Sequence, residues 1–352
     1  MNKSPILLGI SLALVSIATY ANDEPRTADG KPDLSGTYNV ATLTPFQRPT
    51  AFGDNLYLTK EQGEKMAADE AERMAAAGRQ SNPDRDAPPE GGDGSPGAAG
   101  NVGGYNAFWI DRGNDGFTVD GKFRTSILID PPDGRMPPMT EDALEKSQAQ
   151  RGRRQPNSGT AWWLAVAGDG PYDGPERLGL SERCITGFTG ATPTFPSLYN
   201  NFKRIVQSEH SVMIMLEMVH DARVVRMNAE HIPAHITRWM GDSIGWWDGD
   251  TLVVDTTNFH PLSRQGRGGS EDMHVIERFK RMDDGNLSYT FTVEDASVWT
   301  KPWTGEYVWS STDDKVYEYA CHEGNYSMGG ILRGARILES EWTGEIAGSG
   351  EE

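Results

Sequence analysis

Residues 273–295 read MHVIERFKRMDDGNLSYTFTVED, and the period of this stretch decides the fold class. In its second half Leu287, Tyr289, Phe291 and Val293 alternate with Ser288, Thr290, Thr292 and Glu294, the pattern of a strand with one buried face. In its first half Met273, Val275, Glu277 and Phe279 share a face, and Asp283-Asp284-Gly285-Asn286 supplies the turn chemistry of a hairpin. The preceding GWWDGDTLVVDTTNF, residues 245–259, folds back in the same way around Asp248-Gly249. Successive hairpins with short turns predict a mainly β protein built as an antiparallel meander. Further strands are expected near residues 35–40, 107–111, 123–130, 202–227 and 315–321. A total of about eight to twelve strands is enough to close a lipocalin-like β-barrel or to build a sandwich.

A few peripheral helices complete this expectation. Over residues 59–78 Thr59 can cap, Gln62 completes a capping box, the Ala-rich body favours helix and Gly78 can end it. A second helix starts after Thr140, where Glu141 and Asp142 suit the positive end of the dipole, and runs to about Gly152. A third is expected from Met328 to Glu341, with Ile331, Leu332, Ala335 and Leu338 at helical spacing, covering one side of the barrel. The absence of alternating β-α-β units argues against a doubly wound nucleotide-binding fold.

The chain opens MNKSPILLGISLALVSIATYA. Lys3, an apolar run over residues 5–18, and Thr19 and Ala21 before a cut have the form of a secretory signal peptide covering residues 1–21. Residues 22–58 then form an arm and first strand, 79–104 a disordered loop of almost no apolar content, 105–346 the barrel domain with its last helix, and 347–352 a flexible tail. This organisation implies a periplasmic or secreted protein without membrane insertion, because no later window reaches the roughly 20 apolar residues of a spanning helix. Cys184 and Cys321 are its two thiols, and in an oxidising compartment a pair of thiols is expected to form a disulfide. With 33 Lys plus Arg against 51 Asp plus Glu the formal charge is −18, which disfavours nucleic acid and anionic membranes as partners.

The candidate chemistry centres on SVMIMLEMVHDARVV, residues 211–225, where Glu217 interrupts an apolar run and His220, Asp221 and Arg223 follow. As one continuous strand it would put Glu217 on a face with Met213, Met215 and Val219, and a carboxylate on an apolar wall is raised in pKa and suited to acid-base work. The structural alternative is a Glu217–Arg223 ion pair. YEYACHEGNY, residues 317–326, read as a strand, gives a second cluster with Glu318 and His322 on one face. Glu277, between Val275 and Phe279, is expected to pair with an arginine across the sheet. His231 and His235 have a spacing that invites zinc, but Pro233 between them breaks the helix such a site needs. No phosphate-loop, calcium-loop or nucleophile-elbow motif is present, so the sequence calls for no cofactor. Trp162-Trp163, Trp246-Trp247 and the Trp299 to Trp303 loop offer flat surfaces for aromatic ligands or sugars.

The islands DGKPDLSGTY, RTSILIDPPDGRMPP, GLSERC, EMVHDARVV, GWWDGDTLVVDTTNF and YEYACHEGNY resemble a largely uncharacterised family of exported bacterial proteins, over nearly the whole chain after residue 21. The resemblance implies one exported β-rich unit and carries no assigned reaction. The leading expectation is therefore an exported barrel that binds a small hydrophobic or aromatic molecule. Glu217, His220, Asp221, Arg223, Glu318 and His322 are its candidate polar or acid-base groups, for chemistry of the isomerase, lyase or hydratase kind. A carbohydrate-binding or cell-envelope interaction protein, and a metal-dependent hydrolase, are the competing classes.

Overall fold

The computed structural model describes residues 25–77, 110–152, 159–166, 168–188, 192–263 and 265–344. In chain order the strands are β1 (Gly36–Asn39), β2 (Thr118–Val119), β3 (Lys122–Phe123), β4 (Leu128–Asp130), β5 (Phe202–Gln207), β6 (Ser211–Leu216), β7 (Ala222–Met227), β8 (Asp242–Asp248), β9 (Thr251–Thr257), β10 (His274–Arg281), β11 (Leu287–Glu294) and β12 (Trp303–Thr312). The helices are α1 (Lys60–Ala77), α2 (Glu141–Gly152), α3 (Gln265–Gly268) and α4 (Tyr326–Ser340). Nine strands close into a barrel in the order β1-β5-β6-β7-β8-β9-β10-β11-β12, and a β1–β12 pairing returns the sheet to its start. Closure removes the free edges that a sandwich would leave. The short β4 lies outside, paired with the first residues of β12.

The period-two stretch forms the hairpin it predicts, with Phe279 opposite Tyr289 and Glu277 opposite Phe291 across β10 and β11. Its inward residues are sealed: Val275, Phe279, Leu287, Tyr289, Phe291 and Val293 have no exposed surface. Aromatic rings fill the interior, with Phe279 and Tyr289 centroids 4.8 Å apart and Tyr289 to Tyr307 and to Trp309 both at 5.1 Å. The barrel is thus packed with its own side chains.

Several expectations need correction. Residues 211–225 are not one continuous strand but are divided between β6 and β7, because the apolar run stops at Leu216 and a tight turn follows. Val219 and His220 adopt φ of 61° and 54° there, a left-handed conformation that a β-branched residue enters only under constraint. The sheet is not a pure meander, since β7 and β8 pair in parallel through the crossover of residues 228–241. Residues 315–321 form no strand, and Ile110–Asp111 of the strand expected at 107–111 is irregular while 107–109 lie outside the described residues. The missing partner is β12, in which Trp303, Gly305, Tyr307 and Trp309 point inward. Gly305 leaves room for the Phe291 ring, which a Cβ at that position would meet at 2.3 Å. The expected signal peptide of residues 1–21, the expected loop of 79–104 and the expected tail of 347–352 all lie outside the described residues.

The helices follow their caps. Gln62 Oε1 accepts the Thr59 N–H at 2.9 Å and Thr59 Oγ1 accepts the Gln62 N–H at 3.2 Å, so the capping box is made. Thr140 Oγ1 accepts from the Ala143 amide at 3.2 Å, and Asn325 Oδ1 accepts from the Met328 amide at 3.3 Å to begin α4. Rather than covering the barrel, α4 packs Ala335 and Leu338 on a separate small core with Trp162 and Trp163. Cys184 and Cys321 are disulfide-bonded and tie the chain leading into this unit to residue 184.

Candidate functional site

The barrel has two unlike ends. At one, the turns at 208–210, 249–250 and 282–286 are short; at the other, the connections of residues 40–201, 217–221, 258–273 and 295–302 gather. Binding groups concentrate on such long connections held by a rigid frame. Here Thr192–Phe195 dips into the barrel mouth: the Thr194 carbonyl accepts from Tyr307 at 2.8 Å and its amide donates to the Tyr289 hydroxyl at 3.3 Å. Beside this plug lies an open cleft of about 460 Å³ lined by Phe46, Phe195, Ile127 and Leu198, with Arg112 and Arg267 on its wall. The Arg267 guanidinium sits over the rings of Phe46 and Phe195, 4.0 and 4.9 Å from their centroids. Although the residue is exposed at the cleft, desolvation against these rings pushes its pKa down.

Under this mouth the structure brings together Glu217 and Asp221 with Lys203, a residue that the sequence reading passed over. Lys203 and Ile205 are the inward positions of β5, and Lys203 is only 1% exposed. Its Nζ makes no hydrogen bond among the described residues, and burial pulls its pKa down to about 8 against the opposing pull of Glu217 and Asp221. Burial raises the Glu217 carboxyl, while the Phe202 amide, donating to Oε2 at 3.2 Å, and Lys203 work against the rise. Burial raises Asp221 in the same way, opposed by the Gly187 amide, which donates to Oδ2 at 2.7 Å. Glu217 does not share a face with Met213 and Met215, which lie on the outer side of β6; it belongs to the turn beyond it. These carboxylates hold loops. Asp221 fixes Gly187 next to Phe188 of the cleft, and Asn201 receives the Ser197 amide at 2.7 Å and donates to the Ser197 and Asp111 carbonyls.

Arg223 does not pair with Glu217. It reaches into the barrel and forms a two-pronged ion pair with Glu277, one prong from Nη2 to Oε1 at 2.9 Å, and Tyr289 donates to the same Oε1 at 2.7 Å. The arginine partner expected for Glu277 is thus Arg223. His220 is separate from both groups: its imidazole lies between the Tyr317 carbonyl at 2.9 Å and the Tyr319 amide at 3.2 Å, so it anchors the segment before α4. Glu318 and His322 are exposed on that irregular segment and join no cluster with Glu217.

Among the described residues no group of three or more His, Cys, Asp or Glu is placed to hold a metal ion. Of the two spaced histidines, His235 is exposed and His231 is engaged by carboxylates. His231 lies 3.1 Å from both Asp242 Oδ2 and Asp255 Oδ1, and His274 approaches the same Asp255 oxygen at 3.0 Å and Glu294 at 3.1 Å, making an outer-face network. The tryptophans expected as ligand surfaces are internal: Trp162, Trp163, Trp299 and Trp303 are all buried, the first two in a 3-10 turn and not in an alternating strand. Trp246 alone of these is exposed, by 39%. Searched against known proteins, the chain matches no family model and no curated protein.

Proposed function

We propose that the protein is an exported binding barrel that holds a small hydrophobic or aromatic molecule in the cleft at its mouth. One observation carries this reading: the barrel interior is filled by its own aromatic rings, while the mouth presents a cleft with a Phe46, Phe195 and Ile127 floor. Its volume of about 460 Å³ falls in the range of about 300–1,000 Å³ common for small-molecule sites. Phe188 and Leu198, 58% and 49% exposed at the rim, are apolar surface that a bound molecule would cover. Export accords with the N-terminal sequence and with the disulfide. Carrying is favoured over catalysis because Glu217 and Asp221 are engaged by backbone amides behind the cleft wall and are not among its lining residues.

The test uses a neutral fluorescent probe, N-phenyl-1-naphthylamine. Its emission should rise saturably at one site per chain, and the double substitution Phe188→Ser with Leu198→Ser should weaken binding about tenfold or more, from loss of apolar contact. Absence of saturable binding, or binding indifferent to both substitutions, would overturn the reading.

A further inference from the structure

The cleft differs from the rest of the surface in charge. The chain carries 51 acidic against 33 basic residues, yet the cleft is lined by two arginines and by no Asp or Glu. No carboxylate oxygen among the described residues lies within ion-pair distance of Arg267, unlike Arg124 with Glu306, Arg223 with Glu277 and Arg226 with Asp242 elsewhere on the barrel. Glu70, whose charge reaches Arg112, is itself bonded to Arg73. Arg267 also holds a left-handed backbone conformation, φ 64°, to place its guanidinium over Phe46 and Phe195. A guanidinium is planar and keeps its N–H donors in that plane, and their fork matches a carboxylate with two parallel hydrogen bonds.

We propose that the molecule held in the cleft is an anion, a flat or branched apolar body bearing a carboxylate, with Arg267 binding the carboxylate and Arg112, also in the lining, adding positive potential. The apolar body would lie against Ile127 and Leu198, and the cleft's lack of acidic residues would reject cationic analogues. This rests on the reading of the cleft as a ligand site and adds the chemistry of the ligand's polar end.

Binding of 2-naphthoate, 2-naphthamide and inorganic phosphate by calorimetry separates the possibilities, since the first two share a body and differ in charge. Naphthoate should bind about tenfold or more tightly than naphthamide, as expected of a charge-assisted pair. Phosphate alone should bind weakly. In Arg267→Gln the two naphthalene probes should converge to within about threefold, chiefly through loss of naphthoate affinity; Arg267→Lys, keeping the charge without the fork, should fall between. Equal binding of acid and amide by the unaltered protein would overturn the anion assignment and leave the apolar cleft standing. A preference for the acid that survives Arg267→Gln would overturn the role of Arg267, and failure of both naphthalene probes to bind would overturn the cleft reading itself. Phosphate binding as tightly as naphthoate would overturn the apolar-body class.

Discussion

At Lys203 a charge has been placed where the solvent cannot reach it. The alternation of FKRIVQ puts Lys203 with Ile205 and Gln207 and the apolar Phe202 and Val206 on the other face, so the sequence did not mark Lys203 as internal, and lysine is ordinarily a surface residue. Glu217 was legible as a buried carboxylate but not as a turn residue, since SVMIML is apolar at every position but the first and does not say which face is inside. Arg223 could not be matched to Glu277 from sequence, because the partner lies across the barrel, 54 positions away. The lowered pKa of Lys203, about 8 against 10.5, fixes a pH signature. The unfolded chain binds the extra proton between those two values, so the folded state gains stability as pH rises from about 8 to 10.5, while below 8 the buried ammonium costs on the order of 3 kcal/mol. Lys203→Met should remove that gain, giving a flat profile across the window, and should be no less stable than the wild-type protein at pH 7. Urea midpoints at pH 7, 8, 9 and 10 measure this, and a wild-type profile that falls across the window would refute a buried amine of lowered pKa.

Among the elements, hairpins and capped helices were the readable parts and irregular segments the unreadable ones. The β10–β11 hairpin, α1, α2 and α4 follow their sequence signals because turn chemistry, caps and periodicity agree locally. β12 was missed although Trp303, Gly305, Tyr307 and Trp309 alternate as regularly as the residues of β11: its glycine reads as a break unless one knows that Phe291 needs the space. YEYACHEGNY was misread as a strand because Tyr317 and Tyr319 alternate as strand residues do, whereas the segment is held by its backbone contacts to the His220 imidazole and by the disulfide, not by a sheet partner. This second unit makes a prediction of its own. The Cys184–Cys321 bond spans 137 residues, and α4 packs on the Trp162–Trp163 core, not in the barrel. The loop that the bond closes carries β5 to β12, so its loss should cost about 2–5 kcal/mol of global stability, while under native conditions the barrel stays folded and the α4 unit is released first. In hydrogen exchange, reduction should raise exchange over 313–344 and leave β10 to β12 protected; loss of protection throughout the barrel would show the two to be one cooperative unit. Alkylation in denaturant should modify no cysteine before reduction and two after it.

For the molecule as a whole, the barrel was legible because closure needs only a sufficient run of strands. Its solid core and the location of its cleft were not, because both depend on which loops return over the mouth. The Thr192–Phe195 plug shows why: nothing local marks these residues as internal, yet Thr192 and Thr194 are fully buried, and Thr194 joins the Tyr289–Glu277–Arg223 network, which links the plug to β7, β10, β11 and β12. That network is polar matter in an aromatic core, where each ion depends on the other. Glu277→Gln leaves a buried guanidinium without its counter-charge and should destabilise the fold by about 3–5 kcal/mol, and Arg223→Met should do the same by stranding the carboxylate. Removing both, as Glu277→Gln with Arg223→Met, takes the two charges out together, so the double variant should lie closer to the wild-type protein than the sum of the single losses, with a coupling of about 1–3 kcal/mol. Because the plug hangs from Tyr289 and Tyr307, the single variants should also weaken N-phenyl-1-naphthylamine binding, although neither residue touches the cleft. Denaturant unfolding of the four proteins with probe titrations on each reads both effects; additive losses with unchanged probe affinity would show the pair to be independent charges and the plug to be held by its hydroxyl contacts alone.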